Sequence, residues 1–187
     1  MEKFSIKTSR LNIRNLNLTD VNDFYVYRSN PDITKYQDFD TLTLEQAEAF
    51  IEEQVCKEFG KTGEWVQYGI ENKATQRIIG DCAIKLDRHN PRTAEVGITI
   101  SHLEQKKGYA KEVFLGVLTF LFDSQDIHRI VEIVDAENIA SINLLKSSGF
   151  RQEGHFIENI FFKGKWGSEF QYAMLKREWD MKLSLCP

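Results

Sequence analysis

The chain has 187 residues, a length that suits one domain with a core large enough to stand without disulfide staples. With 42% hydrophobic and 28% charged residues it has the profile of a folded chain, not a disordered one. A net charge of -4 and a pI near 5.6 argue against a broad nucleic-acid-binding face, and no nucleic-acid partner is expected.

Cys56, Cys82 and Cys186 are odd in number, far apart and without a CxxC pair, so neither a disulfide framework nor a zinc site is expected. The opening MEKFSIKTSRLNIR lacks an apolar signal core. No run approaches the roughly 18 apolar residues of a membrane span. The expectation is a cytoplasmic protein with no membrane partner and no metal.

The elements follow in chain order. RLNIRNL (10–16) alternates, with Leu11, Ile13 and Leu16 as inward positions of a first strand. In LTDVNDFYVYRSN (18–30), Asp20 is placed to cap a helix carrying Val21, Phe24 and Tyr25, which Asn30-Pro31 closes. TLEQAEAFIEEQVCKEF (43–59) predicts a helix. Thr43 and Gln46 form a capping box, and Leu44, Ala47, Ile51, Val55 and Phe59 recur at helical spacing. The period then shortens, and WVQYGIENK (65–73), RIIGDCAIKLD (77–87) and TAEVGITIS (93–101) read as three strands.

A long helix begins after Gly108, with Ala110, Val113, Phe114, Val117, Leu118, Leu121 and Phe122 as its apolar stripe. RIVEIVD (129–135) reads as a buried strand and NIASINLLKSSGF (138–150) as a helix ended by Gly149. HFIENIFFKGKWGSEFQYAMLKREW reads as two strands around a turn near Gly164 and Gly167. The order β-α-α-β-β-β-α-β-α-β-β specifies a mixed α/β fold, and no linker divides residues 1–187.

The chemistry concentrates at EQKKGYAKEV (104–113). A strand, a short loop holding Gly108 and a helix start make an anion site, because the free N–H groups and the helix dipole both favour negative charge. Gly108 permits close backbone approach, and Lys106, Lys107 and Lys111 add positive charge, so a pyrophosphate is the expected ligand. Neither a P-loop nor a GxGxxG fingerprint is present. Taken alone, a glycine at a strand–helix junction is more often plain geometry than an anion site.

Gln105-Lys106-Lys107-Gly108-Tyr109-Ala110 resembles the Q/R-x-x-G-x-G/A signature of the GNAT N-acetyltransferase superfamily. TSRLNIRNLNLTDVNDFY and NPDITKY are similar to the opening blocks of its ribosomal-protein N-terminal acetyltransferase (RimJ/RimL-like) subgroup. AEVGITIS resembles that group's E-[IV]-G strand. NIASINLLKSSGF resembles its N-x-x-S…GF helix, and GKWGSEFQYAMLKREW its closing block.

The resemblance implies a GNAT fold: antiparallel N-terminal strands, a splayed parallel pair (94–101 and 129–135) and helices on both faces. It implies acetyl-CoA as cosubstrate, held along Ile98, Thr99 and Ile100 through main-chain groups. A main-chain N–H at or near Ile100 would face the acetyl oxygen. Gln105, Lys106, Lys107, Gly108, Tyr109, Ala110 and Lys111 would hold the pyrophosphate. Asn138 would reach the cofactor, cap a helix, or both.

Glu95 is the first candidate for general base, against a plain structural ion pair. Glu132 is the second, with alternation able to turn it away from the cleft. Many members carry a proton-donating tyrosine seven residues after the asparagine. Here that position is Leu145, and Ser141 is the candidate acid, against a simple packing role. The acceptor would be a primary amine: a protein N-terminus or a small amine such as an aminoglycoside or polyamine. Tyr36, Phe39, Trp166 and Phe170 would flank it. A non-catalytic CoA-binding module is the reading from another class. Dimers are common in the subgroup, so a homodimer is expected.

Overall fold

The structure, a computed structural model of the chain, describes residues 4–37 and 39–184; Cys186 lies outside them. Its elements are β1 (Ser5–Lys7), β2 (Leu11–Asn15), α1 (Val21–Arg28), α2 (Pro31–Thr34), α3 (Leu44–Val55), β3 (Trp65–Asn72), β4 (Arg77–Leu86) and β5 (Thr93–Ile100). They continue as α4 (Tyr109–Thr119), β6 (Arg129–Asp135), α5 (Ile139–Ser148), β7 (Arg151–Phe162), β8 (Lys165–Leu175) and α6 (Lys176–Ser184). The strands form one sheet in the order β1-β2-β3-β4-β5-β6-β8-β7, antiparallel throughout except for β5 and β6.

The sheet is covered on both faces. On one, α1 and α3 enclose a small core of Leu16, Phe24, Tyr27, Ala47, Ile51 and Ile78. On the other, Val113, Phe114, Val117 and Leu118 of α4, with Leu121 and Phe122 of the π-helical turn that follows, pack into the main core. Each such side chain, fully buried, contributes about 1.5–3 kcal/mol. Among the described residues, no helix is long and apolar enough to cross a membrane.

Local chemistry accounts for most boundaries. The Thr43–Gln46 capping box starts α3, with bonds of 2.8 and 3.3 Å. Of its proposed stripe only Ala47 and Ile51 are buried, while Leu44 and Val55 face outward. Asp20 does not cap α1 with its side chain. Asn17 caps a 3-10 turn at Leu18–Asp20 instead, and the Asp20 carboxylate accepts from Asn17 N and pairs with both Arg14 terminal nitrogens, at 2.8 and 2.9 Å.

Three elements go beyond the sequence reading. β1 is too short to show a period. Pro31, read as a stop, is also the first residue of α2, where its missing N–H costs nothing. α6 is highly charged and buries only Trp179. Gly167 lies inside β8, and the turn falls at Lys163-Gly164.

Candidate active site

β5 and β6 begin side by side and then part. Only Thr93 with Arg129 and Ala94 with Ile130 are paired. From Glu95 to Ile100 the strand keeps its β4 partners on one edge and has none on the other. In an antiparallel ladder a residue's N–H and C=O point to the same edge, and successive residues alternate. Ser101 N donates to Ile79 O on the β4 side, so the groups of Val96, Ile98 and Ile100 face the gap. Glu132 Oε1 accepts from Val96 N at 2.9 Å, and the Gln105 side chain donates to Ile100 O at 3.2 Å. Thr99 turns its main chain to β4, and its buried side chain lines the cavity.

β4 and β5 lie unusually close at Gly80, where a Cβ would stand 2.1 Å from Thr99 O. No larger residue fits this crossing without moving a strand.

The turn before α4 is built for close approach. Gly108, the N-cap, has φ 81°, and Lys106 also takes a left-handed φ of 63°. The first-turn N–H groups of α4 have no intrahelical acceptor. Lys107 pairs with Glu104 at 2.8 Å, whereas Lys106 and Lys111 are exposed and have no ion-pair partner among the described residues. Arg10 fastens this turn to the N-terminal strands. It donates to Lys107 O at 3.1 Å, pairs with Glu112 at 2.6 Å and covers the Tyr109 ring at 4.4 Å. Burial opposes the charge on Glu112, but hydrogen bonds from Thr8 and Arg10 prevail and hold its carboxyl below the usual range.

A cavity of about 680 Å³ runs through the gap. Phe114, Asn138, Ser141, Leu144 and Leu145 line it on the α4–α5 side. Tyr36, Phe39, Phe50, Trp65, Ile160 and Phe162 line it on the other. Trp166 and Phe170 are not part of this wall; Trp166 is exposed against Phe161, and Phe170 packs on His155 and Tyr172.

Two carboxylates flank the point where the strands part. Glu95 pairs with its cross-strand neighbour Lys85 at 2.6 Å, and Lys85 lies over the Trp65 ring at 4.7 Å. Glu132 reaches across from β6 to Val96. Burial, and then the Glu95 charge, push its carboxyl well above the usual range, against the Val96 hydrogen bond and Lys85. Asn138 caps α5 by accepting from Ser141 N at 3.1 Å, which sets the Ser141 side chain on the cavity wall. Leu145, buried, occupies the wall one turn further on.

A model of the acetyltransferase (GNAT) domain matches residues 10–151. The chain belongs to the GNAT acetyltransferase family. It is 31% identical over 177 residues to the uncharacterized N-acetyltransferase p20 of Bacillus licheniformis, spanning 94% of this chain and 98% of that one. A GNAT-family acetyltransferase from Bacillus anthracis superposes with a TM-score of 0.82 at 26% identity, over 93% of this chain and 99% of the other. Relatives with named substrates are more distant. The ribosomal protein uS5-alanine N-acetyltransferase of Escherichia coli is 26% identical over 67% of this chain and 65% of its own. A Vibrio cholerae spermidine N-acetyltransferase, solved with CoA and spermine, shares the fold at TM-score 0.76 and 23% identity, over 91% and 98%.

This acetyltransferase also carries a buried network absent from the sequence reading. Asp81 accepts from Tyr27 OH at 2.8 Å, from Arg28 at 2.6 and 3.0 Å, and from Gln67. The Arg28 guanidinium lies 4.4 Å from the Phe39 ring. Arg28, Asp81 and Gln67 form part of the cavity floor. The available signal was Asp81 itself, a lone carboxylate inside the apolar run IIGDCAI. Among the described residues, no group of three or more His, Cys, Asp or Glu is placed to hold a metal ion.

Proposed function

We propose that this acetyltransferase takes acetyl-CoA as donor and passes the acetyl group directly to the N-terminal amine of a protein. The observation that carries the proposal is the strip of unpaired β5 backbone that opens beyond Ala94, beside the cationic turn at 106–111. The residues present fit this donor. The N–H groups around Gly108, Tyr109 and Ala110, with Lys106, Lys107 and Lys111, suit a diphosphate, and Gln105 holds the turn to Ile100. Ile98 and Ile100 offer gap-facing main-chain groups to the pantetheine arm and one N–H to the acetyl oxygen, with Thr99 behind them. Asn138 holds the α5 end of the cavity.

In this reading Glu95 takes the proton that the attacking amine must lose, and Lys85 fixes its orientation. Ser141 presents its hydroxyl to the departing sulfur. The acceptor enters between Tyr36 and Phe39 on one side and Ile160 and Phe162 on the other, all of which line the cavity. The whole chain, 1–187, acts as one cytoplasmic domain, as a homodimer by resemblance to the RimJ/RimL-like subgroup.

One observation favours a second acceptor, a small polycationic amine. Asp135 and Glu169 are cross-strand neighbours on β6 and β8, both line the cavity, and neither has an ion-pair partner among the described residues. Like charges so placed repel unless a cation joins them.

Thiol release from acetyl-CoA, measured with alanine-initiated peptides and with spermidine, separates the two. Turnover on peptides is expected; turnover on spermidine alone selects the second reading, and CoA binding without turnover on any amine contradicts both.

A further inference from the structure

Val96 is the second residue beyond the last β5–β6 pair, and the first whose N–H faces the gap. A carboxyl oxygen of Glu132 receives it at 2.9 Å, where a ladder carbonyl would otherwise stand. Glu132 leaves β6 on the face it shares with Ile130 and Val134, the face under α4 and α5. It lines the cavity together with Phe114, Ser141 and Leu145. Its second oxygen has no hydrogen-bond partner among the described residues.

The groups around it leave little to hold a negative charge. β5 presents Glu95, a like charge; β4 presents Lys85, already bonded to Glu95, and the buried thiol of Cys82. β8 places Tyr172 opposite, with its hydroxyl donating to Gln152. From α4 and α5 come Phe114, Leu145 and Ser141, none of them charged. Burial, and then the Glu95 charge, push this carboxyl well above the usual carboxylate range.

We propose that Glu132 donates the proton that converts the departing CoA thiolate to the thiol. The inference rests on the donor reading above, which lays the thioester in this gap. The amine nitrogen bonds to the acetyl carbon, and the carbon–sulfur bond breaks with its electron pair on sulfur. The Glu132 proton goes to that sulfur, while the proton lost by the amine leaves through Glu95. Glu132 regains a proton from water after the thiol departs. Leu145 has no proton to give, and a serine hydroxyl is too weak an acid to be the final source, so Ser141 supplies a hydrogen bond and Glu132 the proton.

Glu132→Gln keeps an oxygen for Val96 N–H and removes the transferable proton. Infrared spectra of the ligand-free protein at neutral pH should show a protonated-carboxyl stretch in the wild type that E132Q lacks. With acetyl-CoA and the better of the two acceptors named above, kcat should fall about 100-fold. The KM for acetyl-CoA should hold, and the alkaline fall in kcat should vanish. Should E132Q not fold, the wild-type carboxyl band and the alkaline limb of its kcat profile carry the test. Absence of that band from the wild type, or an E132Q protein with wild-type kcat and pH profile, overturns the proposal. The infrared measurement needs no cosubstrate, so it fails separately from the donor reading.

Discussion

The two walls of the cleft are built differently. The proposed donor wall, β5 with the turn at 106–111 and α4, is one continuous stretch of chain, and the groups it turns to the gap are main-chain N–H and C=O. The proposed acceptor wall is assembled from the loop after α2, from α3 and from the β7–β8 hairpin, and it lines the cavity with side chains. Main-chain recognition tolerates side-chain change, whereas a wall of side chains on separate loops can be revised without disturbing the sheet. One scaffold can thus keep a constant donor and vary its amine.

The sharpest way to break this contrast is at the floor that both walls share. Asp81→Ala leaves the Arg28 guanidinium buried without its carboxylate, and should cost about 3–5 kcal/mol in urea unfolding. A loss under 1 kcal/mol would mean that the acceptor wall does not depend on that pair. Next in size is Glu95→Gln, which should lower kcat about 100-fold with acetyl-CoA affinity kept, since the proposed role of the residue is to take the proton of the amine. An equal loss of acetyl-CoA affinity would move Glu95 to the donor side.

Gly108→Val addresses the donor wall alone. The site has room, with Arg10 the only neighbour within 4 Å of an added Cβ among the described residues, at 3.6 Å, so the cost comes from forcing a branched residue to φ 81°. About tenfold weaker acetyl-CoA binding by calorimetry is expected, with little change in folding. Unchanged affinity would misplace the anion site.

The smallest effect belongs to the hairpin base. Arg129 first, and then Arg151, hold the Glu153 carboxyl down to about 2. A depressed carboxyl adds stability above its unfolded value of about 4.5, and that stability is lost as pH falls toward 2. Glu153→Gln should flatten the acid limb of the stability curve between those values. An unaltered limb would show that the hairpin is anchored elsewhere.

The donor wall was legible in the sequence because its signals are local. Gly108 ahead of a helical stripe, and a β-rich run ending near residue 100, lie within a few residues of one another. The splay itself was implied only by resemblance, because pairing that stops after Ala94 leaves no mark on β5, whose residues still alternate against β4. Arg28 and Asp81 were illegible as partners because they meet only through the packing of α1 on β4. Glu132 was visible as a carboxylate in a strand, but whether it would reach the gap depends on the alternation of β6 and on how far the strands diverge.

A structure of the protein with acetyl-CoA bound tests the central claim most directly. The account predicts a diphosphate on the N–H groups of residues 106–111 and a pantetheine arm paired to Ile98 and Ile100 in the gap beside β6. A nucleotide bound elsewhere, or β5 and β6 joined along their whole length, would contradict it.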